Sequence, residues 1–243
     1  MQIDTPPRLP CPGLSLRQLA RPDLNAWYAY LSTPDVVRHT SWNLRSRDDL
    51  LPLFDGFESP DPESIRRLAI VDDNAGGALV GTIGLHTVSD VHRSAEIAYD
   101  LAPSHWGRGI ASAACAAVTE WAFAEYGFAR IQGIVLATNA RSARVLQKCG
   151  FRYEGLLRAY RMVRGTSGDF AMYARRDRLT RGPASLWTAR IDLTAGRAGQ
   201  ALNRHNNGQR TQIERTRCTL ITWYAIPNLF QLLRHGTTNN LVT

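Results

Sequence analysis

Leu14 to Ala20, LSLRQLA, alternates apolar and polar positions, the period of a strand with one buried face. RPDLNAWYAYLS follows, with Pro22 and Asp23 at a helix start and Leu24, Trp27, Tyr28 and Leu31 on one face. TPDVVRH, Thr33 to His39, predicts a short second helix, and Ser46 is a candidate cap for a third in SRDDLLPLFDGF. RRLAIVDD, ALVGTIGLHTV and AEIAYDLA are then three β-type runs joined by the short turns DNAGG and SDVHRS, which predicts an antiparallel meander. A helix is expected from about Ile110 to Tyr126. ARIQGIVLAT, Ala129 to Thr138, is nearly all apolar and predicts a strand buried on both faces. ARSARVLQKCG reads as a short helix ended by Gly150 in a left-handed cap, and FRYEGLLRAYRMVRG and GDFAMYARRD as two closing strands.

Strands and helices in this order predict an α/β class, a mixed sheet flanked by helices. After about Thr180 the periodicity fades into Gly, Asn, Gln and Arg, and TLITWYAIPNLFQLL, Thr219 to Leu233, is too short to span a bilayer. The expected division is therefore one domain over 1–180 and a basic extension over 181–243. The extension reads as disordered or poorly packed, as an oligomer contact, or as sequence that did not evolve with the domain; the first and last are favoured.

Charge changes this picture only in the tail. The net charge is +8, but from Arg181 onward eight arginines face only Asp192 and Glu214, so the first 180 residues are close to neutral. Lys148 is the only lysine, which reads first as coding bias. No recognition helix, RNA-binding signature or zinc pattern accompanies the arginines, so nucleic acid is not expected as a partner. Cys11, Cys115, Cys149 and Cys218 are far apart and form no metal spacing, and His39, His86, His92 and His105 form none either, so no metal is expected. Scattered thiols, no apolar leader in MQIDTPPRLPCPG and no membrane-length apolar run together predict a cytoplasmic protein without membrane association.

The chemistry is concentrated at Trp106-Gly107-Arg108-Gly109-Ile110-Ala111-Ser112. A helix start offers roughly four unpaired N–H groups and about half a positive charge, a ready site for a phosphate. Glycine is needed where backbone must approach an anion, which fits Gly107 and Gly109. Ile110 is expected to point inward, Ala111 to keep the turn small, Ser112 to offer a hydroxyl, and Arg108 to add charge at the mouth. Neither a Gly-Lys-Ser/Thr nor a third glycine follows, which excludes a Walker loop and a dinucleotide fingerprint.

The run from AEIAYDL through this loop to NARSARVLQKCGFRYEG resembles the GNAT superfamily of N-acetyltransferases, most closely its RimJ/RimL-like branch, named for ribosomal-protein N-terminal acetyltransferases. The resemblance covers about the first 178 residues and not the tail. Trp106 departs from the Gln/Arg that opens the superfamily's pyrophosphate loop. The resemblance implies a mostly antiparallel sheet splayed beside AEIAYDL, with acetyl-CoA as co-substrate. It implies that the backbone at Tyr99, Asp100 and Leu101 pairs with the pantetheine arm, that the amides from Gly107 to Ser112 hold the pyrophosphate, and that Asn139 contacts the cofactor near its sulfur end. The implied reaction is direct attack of a primary amine, from a protein N-terminus or a small molecule, on the thioester, by a monomer or homodimer.

Glu96 is the candidate base, an acid inside an apolar strand, with an outward carboxylate paired to an arginine as the alternative. The helical tyrosine that many members use as acid corresponds to Leu146, which cannot donate a proton. Ser142, one turn after Asn139, is the substitute donor or else a plain helix cap. Asp169 is read first as structural, holding Arg158, and second as a contact of the substrate ammonium. Trp42 lies in the segment where the resemblance puts the acceptor. The competing function is a non-catalytic acyl-CoA-binding or regulatory module.

Overall fold

The computed structural model describes residues 5–177. The expected boundary near residue 180 and the basic extension lie outside the described residues. The elements follow the predicted order: β1 (Leu14–Gln18), α1 (Leu24–Leu31), α2 (Pro34–His39), α3 (Leu51–Glu58), β2 (Arg66–Asp72), β3 (Ala78–Ser89), β4 (Ser94–Leu101), α4 (Ile110–Tyr126), β5 (Arg130–Leu136), α5 (Ala140–Lys148), β6 (Arg152–Val163) and β7 (Thr166–Arg176).

The seven strands form one sheet in the order β1-β2-β3-β4-β5-β7-β6. Every neighbouring pair is antiparallel except β4 and β5. That parallel pair is short. It joins Ser94, Ala95 and Glu96 to Arg130, Ile131 and Gln132, and then stops. From Ile97 onward β4 has only β3 as a partner, while β5 continues with β7. The sheet therefore opens into a V whose apex is the Glu96–Gln132 pair.

Each face has its own core. Ala114, Cys115, Val118 and Ala122 of α4 are fully buried against Ile83, Ile97 and Ile131. The opposite face of β2 packs Ala69 and Val71 under Trp27, Leu31, Phe54 and Phe57 from α1 and α3. Tyr30 is buried on α1, whereas Tyr28, expected on the buried face, is only half-buried. The reason is polar: the Tyr30 hydroxyl donates to the Asp100 carboxylate at 2.5 Å.

Two further expectations change. The β5 run is expected to be buried on both faces, but only Ile131, Gly133 and Val135 are; Gln132, Ile134 and Leu136 are half-buried and, among the described residues, belong to neither core cluster. Ser46 opens a 3-10 turn over Arg47–Leu50 ahead of α3, and Asp49 accepts its N–H at 3.0 Å. Gly150 is left-handed as expected, with φ +81°.

Candidate functional site

The wall of the site is set by strand register. Ala102 donates its N–H to Val80, so the even positions of β4 hydrogen-bond β3. The main-chain groups of Ile97, Tyr99 and Leu101 consequently face the V. Trp106 occupies one of them: its indole Nε1 donates to the Leu101 carbonyl at 2.9 Å. That bond ties the loop after β4 to the strand, a structural role for the residue that departs from Gln/Arg.

The Gly-Arg-Gly turn then lifts the chain into α4. Gly107 and Gly109 have φ of +75° and +79°, and Gly109 is the N-cap of α4. The left-handed region favours glycine because a Cβ there strains the backbone. A Cβ built on either glycine meets nothing within 4 Å. The glycines are thus required by conformation, and the space beside them is open. Both face a cleft of about 630 Å³ shared with Tyr99, Ser112, Asn139 and Ser142. Ile110 is buried, as expected, and Ala111 and Ser112 line the cleft. Arg108 is exposed and lies outside the lining. His105, Arg141, Arg144 and Lys148 instead supply the basic rim, the last three from α5. The three on α5 were missed, although their spacing in ARSARVLQK puts them on one helical side. A helix N-terminus, open glycine backbone and four basic side chains fit a polyphosphate-bearing ligand.

Two expected contacts have other duties. Asp100 lines the cleft, but its main chain faces β3 and its carboxylate is committed to a buried network. Arg67 Nη2 donates to it at 2.5 Å, Thr82 Oγ1 at 2.9 Å and Trp27 Nε1 at 3.3 Å, besides Tyr30. Asn139 lines the cleft, but its side chain is engaged at both ends: Oδ1 accepts the Ser142 N–H at 3.0 Å, and Nδ2 donates to the His39 carbonyl at 2.9 Å. It caps α5 and fastens α2 to it.

Ser142 itself is not the cap. Its hydroxyl meets the Tyr99 hydroxyl at 2.9 Å, and Tyr99 also reaches the Ser142 carbonyl at 3.0 Å. The Tyr99 side chain thus spans the V from β4 to α5. Burial pushes this phenol's pKa up, the neighbouring Cys115 adds to it, and the bond to Ser142 works against it. A tyrosine in a strand gave no sequence signal for this role. Leu146 is buried against Gly133, where an added Cβ would come within 2.9 Å of its Cδ1. It is a core residue with no part in proton chemistry.

At the apex, Glu96 is buried on the other side of β4. Its Oε1 stands 3.4 Å from Arg161 Nη2 and 3.5 Å from His86 Nε2. Burial raises its pKa, and Arg161 and Gln132 pull it part of the way back. Glu96 is thus paired with an arginine, as the alternative reading expected, but it is buried and not outward-facing. His86 is pushed down to about 3, first by burial and then by Arg67 and Arg161, so it is neutral at neutral pH. Asp169 accepts the N–H of Ala159, which has φ +50° in the β6 bulge, so its structural duty is to this main-chain group and not to the expected Arg158. Trp42 packs edge-on against Trp27 at 6.1 Å and lines a second hollow with Arg45 and Arg164. Arg164, at the β6–β7 turn, donates to the carbonyls of Val37 and Thr40, both at 2.9 Å, and so fastens that hairpin to α2. Among the described residues no group of three His, Cys, Asp or Glu side chains is placed to hold a metal, and no helix is long and apolar enough to cross a membrane.

Comparison with known proteins agrees with this fold. The family model "Acetyltransferase (GNAT) domain" matches residues 14–152. An uncharacterized N-acetyltransferase of Bacillus subtilis, YoaA, is 33% identical over 169 residues, covering 69% of this chain and 96% of that protein. YdaF of the same organism, a putative ribosomal N-acetyltransferase, is 36% identical over 98 residues, 40% of this chain and 54% of that protein. The crystal structure of spermidine N-acetyltransferase from Vibrio cholerae, in complex with CoA and spermine, superposes with a TM-score of 0.60 at 25% identity, covering 68% of this chain and 95% of that one.

Proposed function

Since the chain belongs to the GNAT acetyltransferase family, we propose that it moves the acetyl group of acetyl-CoA to a primary amine by direct attack, with the V beside β4 as the place of transfer. The observation that carries this reading is the position of the apex. The sheet opens immediately after a buried carboxylate, Glu96, and the helix N-terminus with its two glycines stands at the other end of the same strand.

In this reading the pyrophosphate lies on the amides from Gly107 to Ser112 and the phosphates face the rim of Arg141, Arg144 and Lys148. The pantetheine arm lies along the outward main chain of Tyr99. Acetyl-CoA supplies an activated acyl carbon. The chain's own residues manage protons. Glu96 takes a proton from the incoming ammonium, directly or through water, so that the neutral nitrogen forms the new C–N bond as the C–S bond breaks. Its raised pKa suits that task. The thiolate that departs takes up a proton through the Tyr99–Ser142 pair, where two hydroxyls share one hydrogen bond, and the proton that the nitrogen sheds on becoming an amide restores the pair. The acyl-transfer unit ends near residue 180, and the acceptor is a protein N-terminus, as in the RimJ/RimL-like branch, or a small amine.

The test is a melting experiment on the full chain with acetyl-CoA, CoA and ATP. A ligand at about 100 times its dissociation constant stabilises by roughly 2.7 kcal/mol, or about 5–10 °C for a domain of this size. Shifts with acetyl-CoA and CoA and none with ATP are expected. No shift in folded protein would remove the cofactor from this cleft. Release of free thiol in the presence of amines then separates turnover from a binding-only module.

A further inference from the structure

Beyond the thioester side, the acceptor side of the apex has an unusual charge balance. Three carboxylates, on β4, β6 and β7, bear on this balance, and each is engaged. Arg130 grips Glu154 with two hydrogen bonds, at 3.0 and 2.6 Å. Asp169 is held by the Ala159 N–H at 2.8 Å. Glu96 has Arg161. The cation is less engaged than the acids. Arg161 makes one side-chain hydrogen bond among the described residues, a long one of 3.4 Å, and its side chain is one-third exposed. Its guanidinium lies over the rings of Tyr160 and Phe170, 4.9 and 5.7 Å from their centroids, which fixes its plane beside Glu96. Five N–H donors in a fixed fork leave capacity for a second anion.

An ammonium entering alone would place a second cation against Arg161. A polyamine would bring several, with no unengaged carboxylate among the described residues of this lobe to receive them. An amine that carries its own carboxylate keeps the apex neutral: its ammonium takes Arg161's place at Glu96, and its carboxylate takes Glu96's place at Arg161. Resting on the acetyl-transfer reading above, we propose that the acceptor is an amine with a carboxylate beside it, and that Arg161 is the residue that selects it. The exchange also replaces the guanidinium at Glu96 with the ammonium whose proton is to be taken, so the permanent charge that lowers the carboxylate's basicity moves away.

The experiment uses the full chain, with acetyl-CoA and thiol release as readout. α-Amino acids are compared with their carboxamides, tetrapeptides beginning with Asp with those beginning with Asn, and both sets with spermidine. At least one carboxylate member should exceed its neutral partner at least tenfold in kcat/KM, and the pair that does so distinguishes a free amino acid from an acidic N-terminus. Arg161→Gln should bring that ratio close to one, mainly through KM, and Arg161→Lys should keep part of it. A ratio near one in the unaltered protein overturns the proposal, as do spermidine outcompeting the carboxylates, bound acetyl-CoA with no carboxylate turned over, and a ratio preserved in Arg161→Gln. A missing thermal shift with acetyl-CoA overturns the acetyl-transfer reading instead, so the two failures are distinguishable.

Discussion

The two sides of β4 are built by different means. Toward α4 and α5 the site is largely main chain, edged by the basic side chains of α5: the outward carbonyl and amide of Tyr99, two left-handed glycines and a helix N-terminus lie within a dozen residues of one another. Toward α1 and the β6–β7 hairpin it is side chain: Glu96 with Arg161, 65 residues away, and Asp100 with Arg67, Tyr30 and Trp27, 33, 70 and 73 residues away. A ligand common to a whole family can be held by backbone, which any sequence supplies. A particular acceptor needs side chains brought together from distant elements. This difference predicts that damage on the first side affects cofactor affinity, and that damage on the second affects stability, base strength or acceptor choice.

The largest effect should come from the buried network. Asp100→Ala leaves Arg67 buried and uncompensated, which costs about 3–5 kcal/mol. A urea titration should show that loss, and the double change Arg67→Met with Asp100→Leu should recover only the part due to the unpaired guanidinium, because Tyr30, Thr82 and Trp27 still lack their acceptor. A loss below about 1 kcal/mol would mean that the network is better hydrated than its burial implies.

Glu96→Gln comes next. The rate should fall on the order of a hundredfold, and the fall of rate with acidification that Glu96 imposes should disappear. Stability should move the other way. The folded-state pKa of Glu96 is raised by burial, so its contribution to stability is present below the ordinary value of 4.5 and lost as pH rises through the folded value. The glutamine variant should therefore melt above the parent at pH 7.5 and lose that advantage near pH 4. An unaltered pH–rate profile would remove Glu96 from proton transfer.

Gly109→Val tests the main-chain side. At φ +79° a β-branched residue costs about 1–2 kcal/mol, although its Cβ has open space. Acetyl-CoA stabilisation should fall with it, and Gly109→Asn, which tolerates the left-handed region, should keep more of both. Equal losses in the two variants would mean that the open space, and not the conformation, is what glycine provides.

Legibility follows the same division. The strand and helix order, the meander, the left-handed Gly150 and the Gly-Arg-Gly helix start were readable because each depends on neighbours in the chain. Glu96 was readable as an acid in an apolar run. The Tyr99–Ser142 bond across the V, the commitment of Asp100 away from it and the Asn139 tie to His39 were not, because each depends on which faces the tertiary fold brings together. The half-buried side of β5 was misread for a related reason: an apolar run does not say whether a helix covers both of its faces.

The smallest effect discriminates most finely between the two sides, because Ser142 lies on the main-chain side yet acts through its side chain. Ser142→Ala removes one hydroxyl from the pair with Tyr99 and leaves that phenol the Ser142 carbonyl at 3.0 Å. The stability cost should be about 0.5–1.5 kcal/mol, that of one hydrogen bond with its partner still satisfied. If the pair delivers the thiolate's proton, kcat should fall severalfold with KM for acetyl-CoA little changed, and Tyr99→Phe in the same background should add less than it does alone. If the two losses add in full, the hydroxyls act separately. If only stability falls, the bond across the V is a brace for α5, and the thiolate takes its proton from water.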